Sequence, residues 1–331
     1  MNTSKNLQLT VVLAASGSYD VIRKTVHFLL RQSIREQMEL VIVTPSAERL
    51  ASDADDLACF GAFKIVETGV PVSIGKANAE GIRQAAARVV VMAEDHAFPE
   101  KNWASALVAA HRSDWAAVGP VVHNGNPGSL VSWADFLIGY GPWMAGTKPG
   151  DVAFLPGHNT SYKRDVLLEY GPALEAMMEA ETVLHWDLKA QGYKIHLDEN
   201  ARIRHWNFSR MSSWLAAMFY GGRVFAGSRM REERWSGLHK VLYTAGSPLI
   251  PAVRFLRLYP KLSQTGKSFS GRLALALMLL PGLALDGLGQ MLGYAIGTGN
   301  AKTRLVRLEY DRSRHLNEAD RILWQLLESP A

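Results

Sequence analysis

Residues 93–96 read Ala-Glu-Asp-His and directly follow the apolar run 89–92, Val-Val-Val-Met. A carboxylate and an imidazole at the tip of a buried strand suit Mg2+ or Mn2+, with positions left for phosphate oxygens and water. On an extended backbone Glu94 and His96 share a face and Asp95 points opposite. The competing reading is a charged turn. Further along, Glu175, Glu179, Glu181 and His185 gather around one predicted helix. Glu181 and His185 stand at i and i+4 on one helical face. A carboxylate at a helix start is kept ionised by the helix dipole, as a general base requires. Glu175 and Glu179 read instead as a solvated acidic face. His205, after a strand-like stretch, offers a third metal ligand, although a lone histidine in such a place is more often structural.

Other chemistries find little support. The chain has no G-x-x-x-x-G-K-[ST] phosphate loop, no G-x-G-x-x-G after its first strand and no G-x-S-x-G elbow. Cys59 is the only cysteine, which excludes an intrachain disulfide and a Cys/His zinc pattern. It reads as a small core thiol.

The elements that would position these residues follow from patterning. Residues 7–13, 39–43 and 89–92 are short apolar runs that read as buried strands, with 63–67 a third-strand candidate between them. Residues 20–32 and 77–87 have helical spacing or alanine-rich composition. Strands alternating with helices predict a parallel sheet covered on both faces. Ligands bind such sheets at the carboxyl ends of the strands, just after residues 13, 43 and 92. Residues 124–157, rich in Gly, Pro, Trp and Ser and including Trp133 and Trp143, read as a long functional loop. A helix is expected over 175–191, a short strand over 193–197, and helices over 212–224 and 249–258.

With 331 residues and 48% hydrophobic content, the chain has material for one large domain or two and is not disordered. Its net charge of +5 is unevenly spread. Residues 1–200 carry 17 Lys and Arg against 23 Asp and Glu, and residues 201–272 carry 13 against 2. Aromatic residues among those arginines suit a nucleic-acid groove or an apolar–basic surface beside lipid. The first ten residues lack the apolar run of a signal peptide, so the catalytic part is expected in the cytoplasm. Residues 273–285 are uninterruptedly apolar but include Pro281, and Asp286 and Gln290 follow. A spanning helix wants ~20 apolar residues, so core, re-entrant and interfacial helices compete with a span. The basic block before this run favours membrane association, with topology open.

Taken in order, several segments resemble family-2 glycosyltransferases of the GT-A fold. Residues 10–17, Thr-Val-Val-Leu-Ala-Ala-Ser-Gly, and the helix to Ser33 are similar to that family's opening strand and helix. Residues 39–46 resemble its second strand, and 85–99 the strand leading into its Asp-x-Asp metal motif. Residues 156–164, Pro-Gly-His-Asn-Thr-Ser-Tyr-Lys-Arg, resemble its donor-sugar segment. Residues 181–193 resemble the helix that carries its catalytic base and ends in Gly-Tyr.

The resemblance implies an α/β fold: a GT-A type, Rossmann-like, mostly parallel sheet flanked by helices, with a helical, membrane-associating C-terminal extension. It implies a catalytic domain over 1–210 and a basic and apolar helical region over 211–331. It further implies metal-dependent, inverting transfer of a sugar from a nucleotide-diphosphate donor to a hydroxyl of a glycan or lipid-linked acceptor. Glu181 takes the place of the base. Ala14, Ala15, Ser16, Thr44, Ser46, Lys76, Asn78, Glu94, Asp95, Gly157, His158 and Asn159 fall at donor-binding positions. Glu94, His96 and His205 are the implied ligands of Mn2+ or Mg2+, in the manner of relatives with an Asp-x-His motif. The implied setting is the cytoplasmic face of the cell membrane, peripheral or integral, in cell-envelope polysaccharide assembly, with no nucleic-acid partner. Three departures stand out: the missing Asp-x-Asp, Ala180 before the base, and Thr44-Pro45-Ser46 where the family has acidic residues. The first two keep open a nucleotide-sugar-binding homologue without catalysis, and the third leaves the nucleotide base open. The 201–272 block keeps open a basic membrane-surface or nucleic-acid-binding protein, and nucleotidyl transfer on a related scaffold is a further alternative.

Overall fold

The computed structural model describes residues 6–327. Residues 1–5, half of the stretch read for a signal peptide, lie outside the described residues, as do 328–331. The chain forms two compact units, Met1–His123 with Thr147–His205, and Asn124–Gly146 with Trp206–Ala331. The chain thus passes into the second unit at 206, near the expected boundary at 210, but 124–146 belongs to that unit as well.

The first unit is built on a nine-stranded sheet. Its strands are β1 (Leu9–Ala14), β2 (Met38–Thr44), β3 (Ala62–Glu67), β4 (Val89–Ala93), β5 (Ala97–Pro99), β6 (Trp115–Asn124), β7 (Gly150–Asp151), β8 (Ser161–Lys163) and β9 (Lys194–His205). Their order is β3-β2-β1-β4-β8-β6-β9-β5, with β7 beside β9. The long ladders among β1 to β4 are parallel, and β1, β2 and β4 are buried at every residue. Burial on both faces explains why these strands are unbroken Val, Leu and Ile runs rather than alternating ones. Helices Tyr19–Leu30 and Ile74–Gln84 connect them, the second capped by the Ser73 hydroxyl, which accepts from the Lys76 N–H at 3.2 Å. The expected α/β architecture, a sheet flanked by helices and followed by a helical C-terminal region, is therefore the one adopted.

Beyond β4 the sheet turns antiparallel, where the sequence reading had been thinnest. Strands β5 and β8 are three residues each, too short for a period, and β6 is buried through most of its length. The strand expected over 193–197 runs to His205, because its outward positions are polar and its inward ones, such as Ala201 and Ile203, are buried. The helix expected over 175–191 is two pieces, Leu174–Met177 and Glu181–Ala190. Cys59 is exposed rather than a core thiol.

In the second unit, the expected loop over 124–157 contains the helix Leu130–Tyr140. It is capped by Ser129, whose hydroxyl accepts from the Ser132 N–H at 3.1 Å. Val131, Ala134, Phe136, Leu137 and Ile138 are all buried, so the helix is apolar on most faces and lacks the one-sided period that marks a surface helix. Its Asp135 carboxylate accepts from the Phe208 N–H at 2.9 Å. Helix Met211–Glu232 lies against Phe269–Ile296, and a Cβ on Gly289 would collide with the Phe219 carbonyl oxygen. Phe269–Ile296 has the length and composition to cross a membrane, yet half of its most apolar window is buried in protein.

Candidate active site

The turn between β4 and β5 presents Glu94, Asp95 and His96. It is not extended, so Asp95 does not point away from its neighbours. Its Oδ1 lies 2.5 Å from His96 Nδ1, which leaves His96 Nε2 toward Glu94 Oε1 at 3.7 Å. Antiparallel pairing of β5 with β9 sets Ala97 opposite His205, and His205 Nε2 comes within 3.6 Å of Glu94 Oε2. The two imidazoles meet edge to face, 4.8 Å between centroids. From the neighbouring helix, the Thr25 hydroxyl donates to the Glu94 carbonyl at 2.9 Å and fixes the turn.

One ligand atom from each of Glu94, His96 and His205 lies within 4.8 Å of the others, and all three residues are buried. One carboxylate and two imidazoles form a donor set suited to a divalent transition ion. Asp95 holds the far nitrogen of His96, as the outer partner of a metal-bound imidazole does, fixing tautomer and ring orientation. These residues fit a bound metal.

A second segment closes on this cluster. The Asn159 N–H donates to the Met92 carbonyl at 2.7 Å, hooking 157–159 onto the end of β4. Asn159 has φ +61°, in the left-handed region, where asparagine is among the few tolerated residues. It is 1% exposed, and neither side-chain Oδ1 nor Nδ2 has a hydrogen-bond partner. An unpaired buried amide costs about 1–3 kcal/mol, which a ligand bonded to it would recover. His158 Nε2 stands 3.5 Å from Glu94 Oε1 and 4.0 Å from Glu181 Oε1, so Glu181 lies one imidazole away from the ligand cluster. Glu181 opens its helix. Its carboxylate packs on Gly157, where a Cβ would sit 2.8 Å from Oε2.

Contacts thus gather Glu94, Asp95, His96, Gly157, His158, Asn159, Glu181 and His205. Register brings further expected residues to the same sheet edge: Leu13 pairs with Ala93, and Ala14 with Val43. Ala14 and Thr44 end β1 and β2, Ala15 follows β1 buried, and Ser16 comes next, exposed. The Ser46 hydroxyl accepts from the Arg49 N–H at 3.3 Å as a helix cap. Lys76 and Asn78 occupy the first turns of Ile74–Gln84, and Asn78 is buried with Nδ2 unpaired.

Other expectations need correction. His185, on the same helix as Glu181 but a turn further along, is fully buried. Its Nδ1 accepts from the Leu155 N–H at 3.3 Å, so Nε2 donates to Tyr162 Oη at 2.7 Å. Burial lowers its pKa to about 3, keeping it neutral. Glu175 and Glu179 are both half-buried, and Glu179 packs its side chain on Gly75 while Glu175 meets that glycine through its backbone carbonyl. Trp143 is buried, and Trp133 is half-buried with its indole N–H donated to the Pro127 carbonyl at 2.9 Å, so neither is an open aromatic face. Sequence reasoning also missed Thr25, whose partner lies 69 residues away, and the pairing of Asp95 with His96. A cavity of about 950 Å³ elsewhere in the first unit is lined by Phe28, Gln32, Phe98 and Arg204. Gln32 there bonds the Phe28 and Glu100 carbonyls, a structural role.

Residues 10–171 match the family model described as Glycosyl transferase family 2. A comparison with curated proteins finds no match. Among solved structures, the chain is similar to a crystal structure of GalNAc-T7 with UDP, GalNAc and Mn2+, at 16% identity and a TM-score of 0.48. That match covers 69% of this chain and 48% of the other, so the chain spans about half of that relative's length. It is also similar to the mannosyltransferase PcManGT from Pyrobaculum calidifontis in complex with GDP-Man and Mn2+. There the identity is 17%, the TM-score 0.49, and the match covers 97% of this chain and 88% of the other. The segment that matches the Glycosyl transferase family 2 model is just under half of the chain and contains Glu94, His96 and residues 157–159.

Proposed function

We propose that the chain transfers a sugar from a nucleotide-diphosphate donor to an acceptor hydroxyl with inversion. The observation that carries this reading is the convergence of a metal-competent triad, an unpaired buried amide and a helix-start carboxylate at the sheet's carboxyl edge. Glu94, His96 and His205 would hold a divalent ion, which supplies positive charge against a diphosphate leaving group. Asn159 and the 157–158 backbone border the sugar. Ala14, Ala15 and Thr44 line the nucleotide side with small groups, and Lys76 at a helix start offers charge to phosphate. Glu181 takes the proton from the attacking hydroxyl, and the adjacent His158 holds that carboxylate in place. The acceptor is a glycan or lipid-linked hydroxyl.

Thermal shift with a panel of nucleotide sugars, with and without Mn2+, tests donor and metal together, because a ligand that binds only the native state raises its stability. Glu181→Gln should then lower turnover by about 10²–10⁴, the range of general-base catalysis, with donor binding retained. Full activity in that variant would exclude Glu181 as the base.

A further inference from the structure

Between Glu233 and Asp286 the chain has no aspartate or glutamate, whereas seven lysines and arginines fall in this stretch. The same stretch leaves large apolar side chains in water. Leu238 and Val241 on helix Gly237–Gly246 are 67% and 65% exposed, and Leu256 on Ile250–Leu258 is 71% exposed. Along the long helix, Phe269, Leu273 and Leu277 form an exposed stripe at four-residue spacing.

The opposite face of that helix is protein core. Leu275, Leu279 and Leu283 are fully buried. Its second half carries a buried polar group, Asp286, which accepts from Arg254 at 2.5 Å and from Gln290 at 2.9 Å. Gly289 and Gly293 press the helix against Met211–Glu232. A helix with one face committed to protein and a buried charge pair in its second half is held as part of a folded unit. Its exposed stripe, which continues past Leu280 to Leu288 and Ile296 alongside the buried charge pair, is open to another medium together with the two helices before it. Contiguous exposed apolar surface mixed with cations and free of anions is the pattern of a helix lying in a lipid interface. Each nearby Lys or Arg adds about a fivefold preference for an anionic surface.

We propose that this face of the second unit seats in the headgroup region of an anionic phospholipid membrane, lying on the bilayer and not crossing it. The apolar stripe enters the acyl boundary while Lys240, Arg257 and their neighbours meet lipid phosphates. The assignment is independent of sugar transfer.

The test uses the full chain with vesicles of phosphatidylcholine alone and of phosphatidylcholine with one-third phosphatidylglycerol. The chain should sediment with the mixed vesicles at least about tenfold more tightly than with phosphatidylcholine alone, and alkaline carbonate should release it. Leu273→Ser/Leu277→Ser should weaken partitioning by about tenfold or more with an unchanged melting transition. Lys240→Glu/Arg257→Glu should abolish the preference for phosphatidylglycerol, and this arm remains informative if the first variant misfolds. The proposal is overturned by absence of vesicle binding, by equal binding to both compositions, or by resistance to carbonate, which marks a spanning helix. It is equally overturned by a stable dimer that buries Leu273 and leaves nothing for lipid.

Discussion

Gly157→Ala perturbs the candidate base without deleting any functional group. A methyl at this position would lie 2.8 Å from Glu181 Oε2, 2.9 Å from Cδ and 3.3 Å from Oε1. Non-bonded carbon contacts relax at about 3.5 Å or more, so the carboxylate must retreat by roughly 0.5–1 Å. Residue 157 is not in the left-handed region, so alanine adds no backbone strain. A displacement of about 1 Å in a reacting group costs on the order of 10² in rate, or ~2.7 kcal/mol of barrier. The assay is steady-state transfer with the donor found by ligand screening, alongside the Mn2+-induced thermal shift. We expect kcat to fall about a hundredfold while the thermal shift stays, since the three atoms nearest the new methyl all belong to Glu181 and none to a metal ligand. Shortening the base in Gly157→Ala/Glu181→Asp should recover part of the loss, because one methylene withdraws the carboxylate from the clash. Wild-type kcat in Gly157→Ala, with Glu181→Gln inactive, would show that Glu181 does not work from the position described.

Three further outcomes are expected. Asp95→Asn, nearly isosteric, removes the charge that orients His96 and should weaken Mn2+ affinity by about 10–100-fold in titration calorimetry; an unchanged Kd would assign the 2.5 Å contact to folding alone. Asn159→Gly suits φ +61° and removes an unpaired buried amide, so the melting temperature should hold or rise while donor affinity falls; loss of both together would make Asn159 merely structural. Burial lowers His111 to about 4 and His185 to about 3 from an ordinary 6.5. Protons therefore prefer the unfolded chain. The stability of the first unit should be full above pH 6.5 and fall progressively below it, by on the order of 2–3 kcal/mol per histidine at pH 4.5. Denaturant midpoints independent of pH from 7.5 to 4.5 would contradict this.

The sequence was most informative where one element sufficed. Runs such as Val89–Ala93 announce buried strands by composition alone, and Glu181 at a helix start follows from local spacing. Residues 94–96 were legible as a ligand cluster because a strand tip and two donor types are adjacent in the chain. The reading failed where tertiary partners decide. Asp95 was assigned a direction by strand geometry, but the turn folded it onto His96. His185 was paired with Glu181 by helical spacing, yet Tyr162 from β8 holds it in the core. The helix Leu130–Tyr140 gave no amphipathic signal because it is surrounded. His205 was legible as a possible third ligand after a strand-like stretch, but what brings it to Glu94, the pairing of β5 with β9, has no local signature.

That surrounded helix also constrains how the protein is made. Its Asp135 accepts from the backbone of Phe208, and its Ile138 lies beside Gly282, which is translated about 140 residues after the helix ends. At about 5–20 residues per second, the ribosome releases Ile138 on the order of ten seconds before Gly282, beside which it packs, exists. Packing order and synthesis order are thus inverted over this stretch. The yield of folded protein in a cell then depends on translation speed across 141–282 as well as on stability. Synonymous codon changes confined to that stretch should alter soluble yield without altering the melting temperature, and unchanged yield would show that the helix is protected before its partners arrive.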